Sequence, residues 1–262
     1  MGSATTQALA ASSQALAATQ GLTLGSASEL FSAARLVGDS SALSGALADP
    51  SAPTEARAAV VGRVFDGATA PVQNVLRAAV SERWSGAADL VDGIEELAIR
   101  AAAIAAPETD IEGELFSVSR LVAGNPELEL ALGSRLGDGA AKGALVEKLL
   151  GGGVSAATTL IVSSLVRQPR ERRVRQLLSR AMRIVSAQRD RIVATVHAVA
   201  PLSAPQRGRL SDVLAQRYGR PVALNEVIDP TVVGGLRVQV ADDVIDGSLS
   251  ARLADLRHKL AG

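Results

Sequence analysis

The string Glu29-Leu30-Phe31-Ser32-Ala33-Ala34-Arg35-Leu36-Val37 returns as Glu114-Leu115-Phe116-Ser117-Val118-Ser119-Arg120-Leu121-Val122, seven identities in nine at an offset of 85. The same offset, without a gap, sets Leu43 and Leu47 on Leu128 and Leu132, and Ala56-Arg57 on Ala141-Lys142. It continues through Val60-Val61-Gly62-Arg63-Val64-Phe65 on Leu145-Val146-Glu147-Lys148-Leu149-Leu150, with Gly67 on Gly152. Apolar type is kept where identity is lost, as two copies of one packed unit require. The spacing inside each copy is helical: Leu30, Ala33, Ala34 and Val37, then Leu115, Val118, Leu121 and Val122.

Punctuation divides the repeat into short helices. Gly38-Asp39-Ser40 and Gly124-Asn125-Pro126 stop the first helix of each copy at matching places. Further helices are expected at about 55–65 and 140–150, 70–83 and 155–167, and 87–105 and 172–190, so the unit holds about four helices. The helix at 87–105 aligns weakly with one at about 4–20, and is placed to close one bundle and open the next. The uncharged stretch Gly151–Val166 reads as a buried helix, too short and too rich in Ser and Thr to span a membrane. Hydrophobic residues make up 47% of the 262 positions but aromatics only 2%, which suits thin Ala/Leu helix packing and excludes an all-β fold.

The last seventy residues change period. Arg191–Val199 is β-branched and strand-like, and Pro201 ends it. Ser203 and Gln206 have capping-box spacing before a helix that Gly219 closes. Strands are expected through Val222–Ile228, Gly234–Val240 and Val244-Ile245, with a tight Ala241-Asp242-Asp243 turn, and a final helix carries Leu249, Leu253, Leu256 and Leu260 on one face. The chain therefore reads as mainly α: an N-terminal antiparallel helical bundle with an internal repeat of period 85, then a small C-terminal α/β domain. The divisions are 1–105, 106–190 and 191–262.

Charge sums to zero, with 27 basic and 27 acidic side chains, so no global field steers the chain to nucleic acid or an anionic membrane. Its distribution is polar. Residues 1–125 hold 7 basic and 14 acidic groups, whereas 167–191 holds nine Arg against Glu171 and Asp190. The Arg segment reads as a solvated helix face, or as a surface for an acidic protein partner; nucleic acid is disfavoured because no aromatics are interleaved to stack on bases. Cys is absent, which removes disulfides and thiolate metal sites. No basic n-region precedes the first apolar residues, so the chain is expected to remain in the cytoplasm.

Catalytic patterns are missing. Lys142, Lys148 and Lys259 are preceded by Ala, Glu and His, so no phosphate-binding G-x-x-x-x-G-K-[ST] loop exists, and Gly151-Gly152-Gly153 reads as a connector. His197 and His258 belong to no metal-ligand pattern. Asp229 and Asp246 form a conceivable acid/base pair, but each sits where a turn or helix cap accounts for it. No catalytic residue, cofactor or metal is expected.

Three ordered blocks carry a resemblance: Val222-x-Leu224; Ile228-Asp229-Pro230-x-Val232-Val233-Gly234-Gly235-Leu236-Arg237-Val238-Gln239-Val240; and Val244-Ile245-Asp246-Gly247-Ser248-x-x-x-Arg252-Leu253. Together they resemble the C-terminal signature of the ATP synthase delta subunit family, whose mitochondrial members are the oligomycin-sensitivity-conferring proteins. The doubled helical region resembles the long actinobacterial members. Two departures stand out: Ala241 replaces the family's usual turn glycine, and only Gln14-Ala15-Leu16 remains of the Tyr-Ala-x-Ala-Leu pattern of the first helix. The resemblance marks Asp229, Pro230, Gly234, Gly235, Arg237, Asp246, Gly247 and Ser248 as structural signature residues.

What the resemblance implies is mechanical. A family member is a non-catalytic stator subunit of the proton-translocating rotary ATP synthase. It links the alpha-subunit N-termini of the catalytic hexamer to the b-type peripheral stalk, as one copy on the cytoplasmic face of the membrane, without inserting into it and without binding nucleic acid. The rival reading is a soluble helical adaptor or regulator whose Arg-rich segment binds an acidic partner or nucleic acid.

Overall fold

Most helices begin where a Ser, Thr or Asp can occupy the cap. In the computed structural model, described here for residues 2–134, 137–170, 172–232, 234–240 and 243–247, eleven helices run in succession before the first strand. They are α1 (Ser3–Ala18), α2 (Leu24–Asp39), α3 (Ser41–Ala48), α4 (Thr54–Val64), α5 (Ala70–Ser81), α6 (Ala87–Ala105), α7 (Ile111–Ala123), α8 (Pro126–Gly133), α9 (Gly139–Leu150), α10 (Ala156–Arg167) and α11 (Val174–Gln188). Thr23, Ser40, Asp110, Asp138 and Ser155 each accept an otherwise orphaned backbone N–H at the start of a helix.

The chain falls into two compact units, Met1–Val185 and Ser186–Gly262. In the first, α6 is the axis. Twelve of its nineteen residues are buried, and it packs on α2 above all, then on α1, α3, α5 and α10. Its small face (Ala98, Ala101, Ala102) lets neighbours approach closely, while Leu90, Ile94, Leu97 and Ile99 fill the space between them. Leu16, Leu30, Leu76, Leu115 and Ile161 meet the same core.

Two expectations need correction. Each copy was expected to hold about four helices, but α3 and α8, eight residues each, follow α2 and α7 directly; such short segments show too little periodicity to be read in advance. The stretch Gly151–Val166 is not one buried helix. α9 ends at Leu150, Gly152 takes φ 79°, and α10 starts only at Ala156 behind the Ser155 cap. Three consecutive glycines lose too much entropy in a helix to continue it.

The second unit contains β1 (Ile192–Ala198), α12 (Ala204–Tyr218), β2 (Val222–Ile228), β3 (Leu236–Val240) and β4 (Asp243–Asp246). Gln206 Oε1 accepts the backbone N–H of Ser203 at 2.9 Å to open α12, and Gly219, at φ 70°, closes it. The sheet order is β2-β1-β3-β4: β1 is parallel to β2 across the α12 crossover and antiparallel to β3. Ala194, Val196, Val238, Val240 and Leu214 form its core. The Tyr218 hydroxyl donates to the carboxylate of Asp243. The Ala241-Asp242 turn and the final helix expected at 249–260 lie outside the described residues. The chain is thus mainly α with a small C-terminal mixed sheet.

One close approach decides how α5 enters α6. Trp84 is buried, and its Nε1–H donates to the Ala79 carbonyl at 2.7 Å, which pins the ring. A Cβ added at Gly93 would stand 2.2 Å from Cη2 of that ring. Gly93→Ala should therefore destabilise the helical unit by about 1 to 2 kcal/mol in urea denaturation, because overpacking outweighs the roughly 1 kcal/mol helix-propensity gain of alanine. Unchanged or increased stability would show that the ring is not fixed there.

Candidate functional site

The signature residues of the second unit gather at one end of its sheet. The Asp229 N–H donates to the Ala198 carbonyl at 2.8 Å, which ties the end of β2 to the end of β1. Asp229 Oδ1 accepts from the Thr231 backbone N–H at 3.0 Å and from its hydroxyl at 2.6 Å. Its Oδ2 lies 3.5 Å from Arg237 Nη2 and 3.6 Å from His197 Nδ1. Pro230 occupies the turn just after, where no N–H donor is required. Gly234 and Gly235 follow at φ 59° and 118°, a region that side-chain-bearing residues rarely adopt.

Register places the rest. Arg237 on β3 stands opposite His197 on β1 and opposite Asp246 on β4. Asp246 is the last residue of β4, the helix it is expected to cap lies outside the described residues, and Gly247 N–H closes the strand pair by donating to the Leu236 carbonyl at 2.8 Å. Ser248 lies outside the described residues. Asp229 follows β2 and Asp246 ends β4, and β1 and β3 stand between those two strands. What the arrangement does is lock a sheet end with turn hydrogen bonds and alternating charge.

In the helical unit the chemistry is also structural. Glu29 Oε2 accepts from Thr69 N and Oγ1 (2.8 and 3.0 Å) at the start of α5. Glu114 accepts from Ser155 N at 3.1 Å, and from the hydroxyls of Ser155 and Thr158, at the start of α10. Each carboxylate meets the positive end of a helix dipole. Lys142, buried, donates to the Ser134 carbonyl.

The Arg segment divides: Arg170, Arg172 and Arg180 turn inward, whereas Arg173, Arg175, Arg183 and Arg191 are exposed, as a solvated face requires. Glu95 on α6 has a side chain only 6% exposed, and its carboxylate is bound by Arg180 at 2.7 Å, by Arg172 at 2.9 Å and by Arg170. Arg170 also reaches Asp92 at 3.1 Å, and Arg180 reaches Glu96 at 3.4 Å. Arg175 pairs with Glu129 and Arg167 with Glu147. Five of the nine arginines are thus held by carboxylates of their own chain. The sequence signal was present in Glu95-Glu96, two acids set between Ile94 and Leu97 on a helix that also carries Asp89, Asp92 and Arg100.

Among the described residues, no three His, Cys, Asp or Glu side chains gather to hold a metal ion. No described helix is long and apolar enough to cross a membrane. A concavity of about 440 Å³ lies between α8 and the start of α11, with Leu130 at its lip and the buried Val174 among its lining residues.

Two outcomes test these assignments. Replacing Glu95 by Leu should cost the helical unit about 3 kcal/mol in urea unfolding, since removing one partner strands buried guanidinium groups; a loss below 1 kcal/mol would show the cluster to be solvated. The Thr231 hydrogen bonds, then the charges of Arg237 and His197, hold the Asp229 carboxyl below the usual carboxylate range. Its contribution to stability is complete above the ordinary value of about 3.9 and is lost as pH falls through the lowered one. Thr231→Val should move the NMR titration of Asp229 upward.

Against known proteins, the family described as ATP synthase delta (OSCP) subunit matches residues 97–260. The chain is 48% identical to ATP synthase subunit delta of Leifsonia xyli subsp. xyli over 264 residues, covering 100% of both chains. It is 41% identical to ATP synthase subunit delta of Streptomyces avermitilis, covering 90% of this chain and 88% of that one. The protein of the same name from Nocardia farcinica is 38% identical, covering 95% and 92%. A family match over more than half of the residues and relatives aligned from end to end place the chain in the ATP synthase delta (OSCP) subunit family.

Proposed function

We propose that this chain is the non-catalytic stator link of the rotary ATP synthase. Its helical unit grips N-terminal segments of the alpha subunits, and its C-terminal unit holds the end of the b-type stalk. One copy serves each complex on the cytoplasmic face of the membrane. The observation that carries the reading is the end-to-end likeness to proteins named ATP synthase subunit delta. Two separately cored units support it, because a tether between two bodies needs one docking module for each. The rival adaptor reading keeps only part of its basis, since five of the nine arginines it relied on pair with carboxylates of this chain.

The action required is resistance to torque. Glu95 and its arginines, together with the carboxylate-capped helices, stiffen the first unit; the locked sheet end does the same for the second. Neither needs a reacting group.

Gly235 supplies a test. At φ 118°, a β-branched side chain is strained, so Gly235→Val should destabilise the C-terminal unit by about 1 to 3 kcal/mol and leave the helical unit folded. In reconstituted enzyme carrying that variant, proton-driven ATP synthesis should fall while ATP hydrolysis by the hexamer persists. Full coupling in enzyme from which this chain has been removed would overturn the stator reading.

A further inference from the structure

We propose that the concavity between α8 and the start of α11 is a seat for an acidic peptide segment of another protein, with Arg173 taking a carboxylate and Leu130 an aliphatic side chain. The proposal rests on the stator reading only in that a chain built into an assembly meets protein surfaces. The occupant is a different segment from the alpha N-terminus, and the test separates the two.

The chain contains its own comparison. α3 and α8 each have eight residues and start 85 residues apart, while α6 and α11 start 87 apart. Buried side chains coincide at both places. Leu47 on α3 matches Leu132 on α8, and Leu90 and Val91 in the first turn of α6 match Leu177 and Leu178 on α11. The joint of α3 with α6 and the joint of α8 with α11 therefore occupy corresponding positions.

The first joint is filled by small residues. α3 packs on α6, Ser44, Leu47 and Ala48 are buried, and Gly45 offers no side chain to solvent. In the second joint the same four positions hold Glu129, Leu132, Gly133 and Leu130, and Leu130 is 75% exposed. Gly133 lacks the methyl that Ala48 buries. A Cβ built there would stand 3.8 Å from Val174 Cγ2, an ordinary contact, so the hollow has room for one. At the helix start, Gly86, Ala87 and Ala88 give way to Arg173, Val174 and Arg175. What results is a concavity of about 440 Å³, inside the range of roughly 300 to 1,000 Å³ usual for ligand sites.

Charge selects the occupant. Of the three guanidinium groups in the lining, Arg172 is held by Glu95 and Arg175 by Glu129, both at 2.9 Å. Arg173 is exposed, and among the described residues its side chain has no carboxylate partner; its backbone N–H donates to Gln176 Oε1 at 3.1 Å. One positive charge thus stands uncompensated beside the apolar surface of Pro126, Leu130 and Val174. An exposed ion pair contributes little by itself, so recognition needs the aliphatic contact as well. A segment that sets a carboxylate beside a leucine-like side chain supplies both. Nucleic acid fits poorly, because no aromatic ring lines the concavity to stack on a base.

The test uses the full chain and a synthetic helical peptide with leucine and glutamate on one face; a second peptide has lysine in place of each glutamate. At low salt, fluorescence anisotropy should show the glutamate peptide binding and the lysine peptide binding about tenfold more weakly. Amide NMR shifts should centre on α8 and the first turn of α11. Arg173→Glu should reverse the preference between the peptides. Leu130→Ser should weaken the glutamate peptide about fivefold, and Gly133→Leu, which fills the hollow without altering charge, should do the same. Circular dichroism checks that the variants remain folded, and excess alpha N-terminal peptide should leave the bound glutamate peptide in place. Equal binding of the two peptides, binding of neither, shifts centred elsewhere, displacement by the alpha peptide, or affinities that none of the three variants changes would overturn the seat. Each of those outcomes leaves the stator reading standing, because that reading fails on a separate result, full coupling in enzyme lacking this chain.

Discussion

Everything in the helical unit is arranged around a carboxylate that has no business in a core. Glu95 lies on the most buried helix, and an isolated charge at that depth would be very costly. Three guanidinium groups from residues 170, 172 and 180 surround it, so the connection between α10 and α11 has to cross α6 at that point. Such a cluster adds little net stability over a well-packed apolar alternative, but it leaves few other ways of closing the bundle. The remaining pairs, Arg175 with Glu129 and Arg167 with Glu147, follow once the segment is anchored.

The same logic of satisfied carboxylates organises the periphery. Glu29, Glu114 and Asp229 each accept hydrogen bonds from a backbone N–H and a hydroxyl of one neighbouring residue, at a helix start in two cases and a turn in the third. Each holds two segments together without a reacting partner.

Much of this was legible in the sequence, for identifiable reasons. Helical periodicity, the Ser203 and Gln206 pair and the Gly219 stop are local signals, and the structure places elements where they indicated. Asp229, Gly234 and Gly235 were marked by motif, and backbone geometry shows why such residues stand there: a turn fixed by Thr231, then two positive φ angles. α3 and α8 were missed because eight residues span barely two turns. The inward part of the Arg segment, Arg170, Arg172 and Arg180, was missed because composition reveals charge but not depth. Only packing discloses that Glu95 faces inward, beyond the reach of solvent that would have made a surface ladder of those arginines.

The scarcity of aromatic side chains gives the molecule an unplanned convenience. Its single tryptophan, Trp84, is sealed against Gly93 inside the helical unit, and its single tyrosine, Tyr218, donates to Asp243 in the C-terminal unit. Each unit therefore carries its own optical reporter, with no second indole or phenol to blur the signal. Red-edge excitation would follow the indole alone, while the phenol absorbance would follow the sheet. The two units could be watched melting separately in one cuvette, without a label.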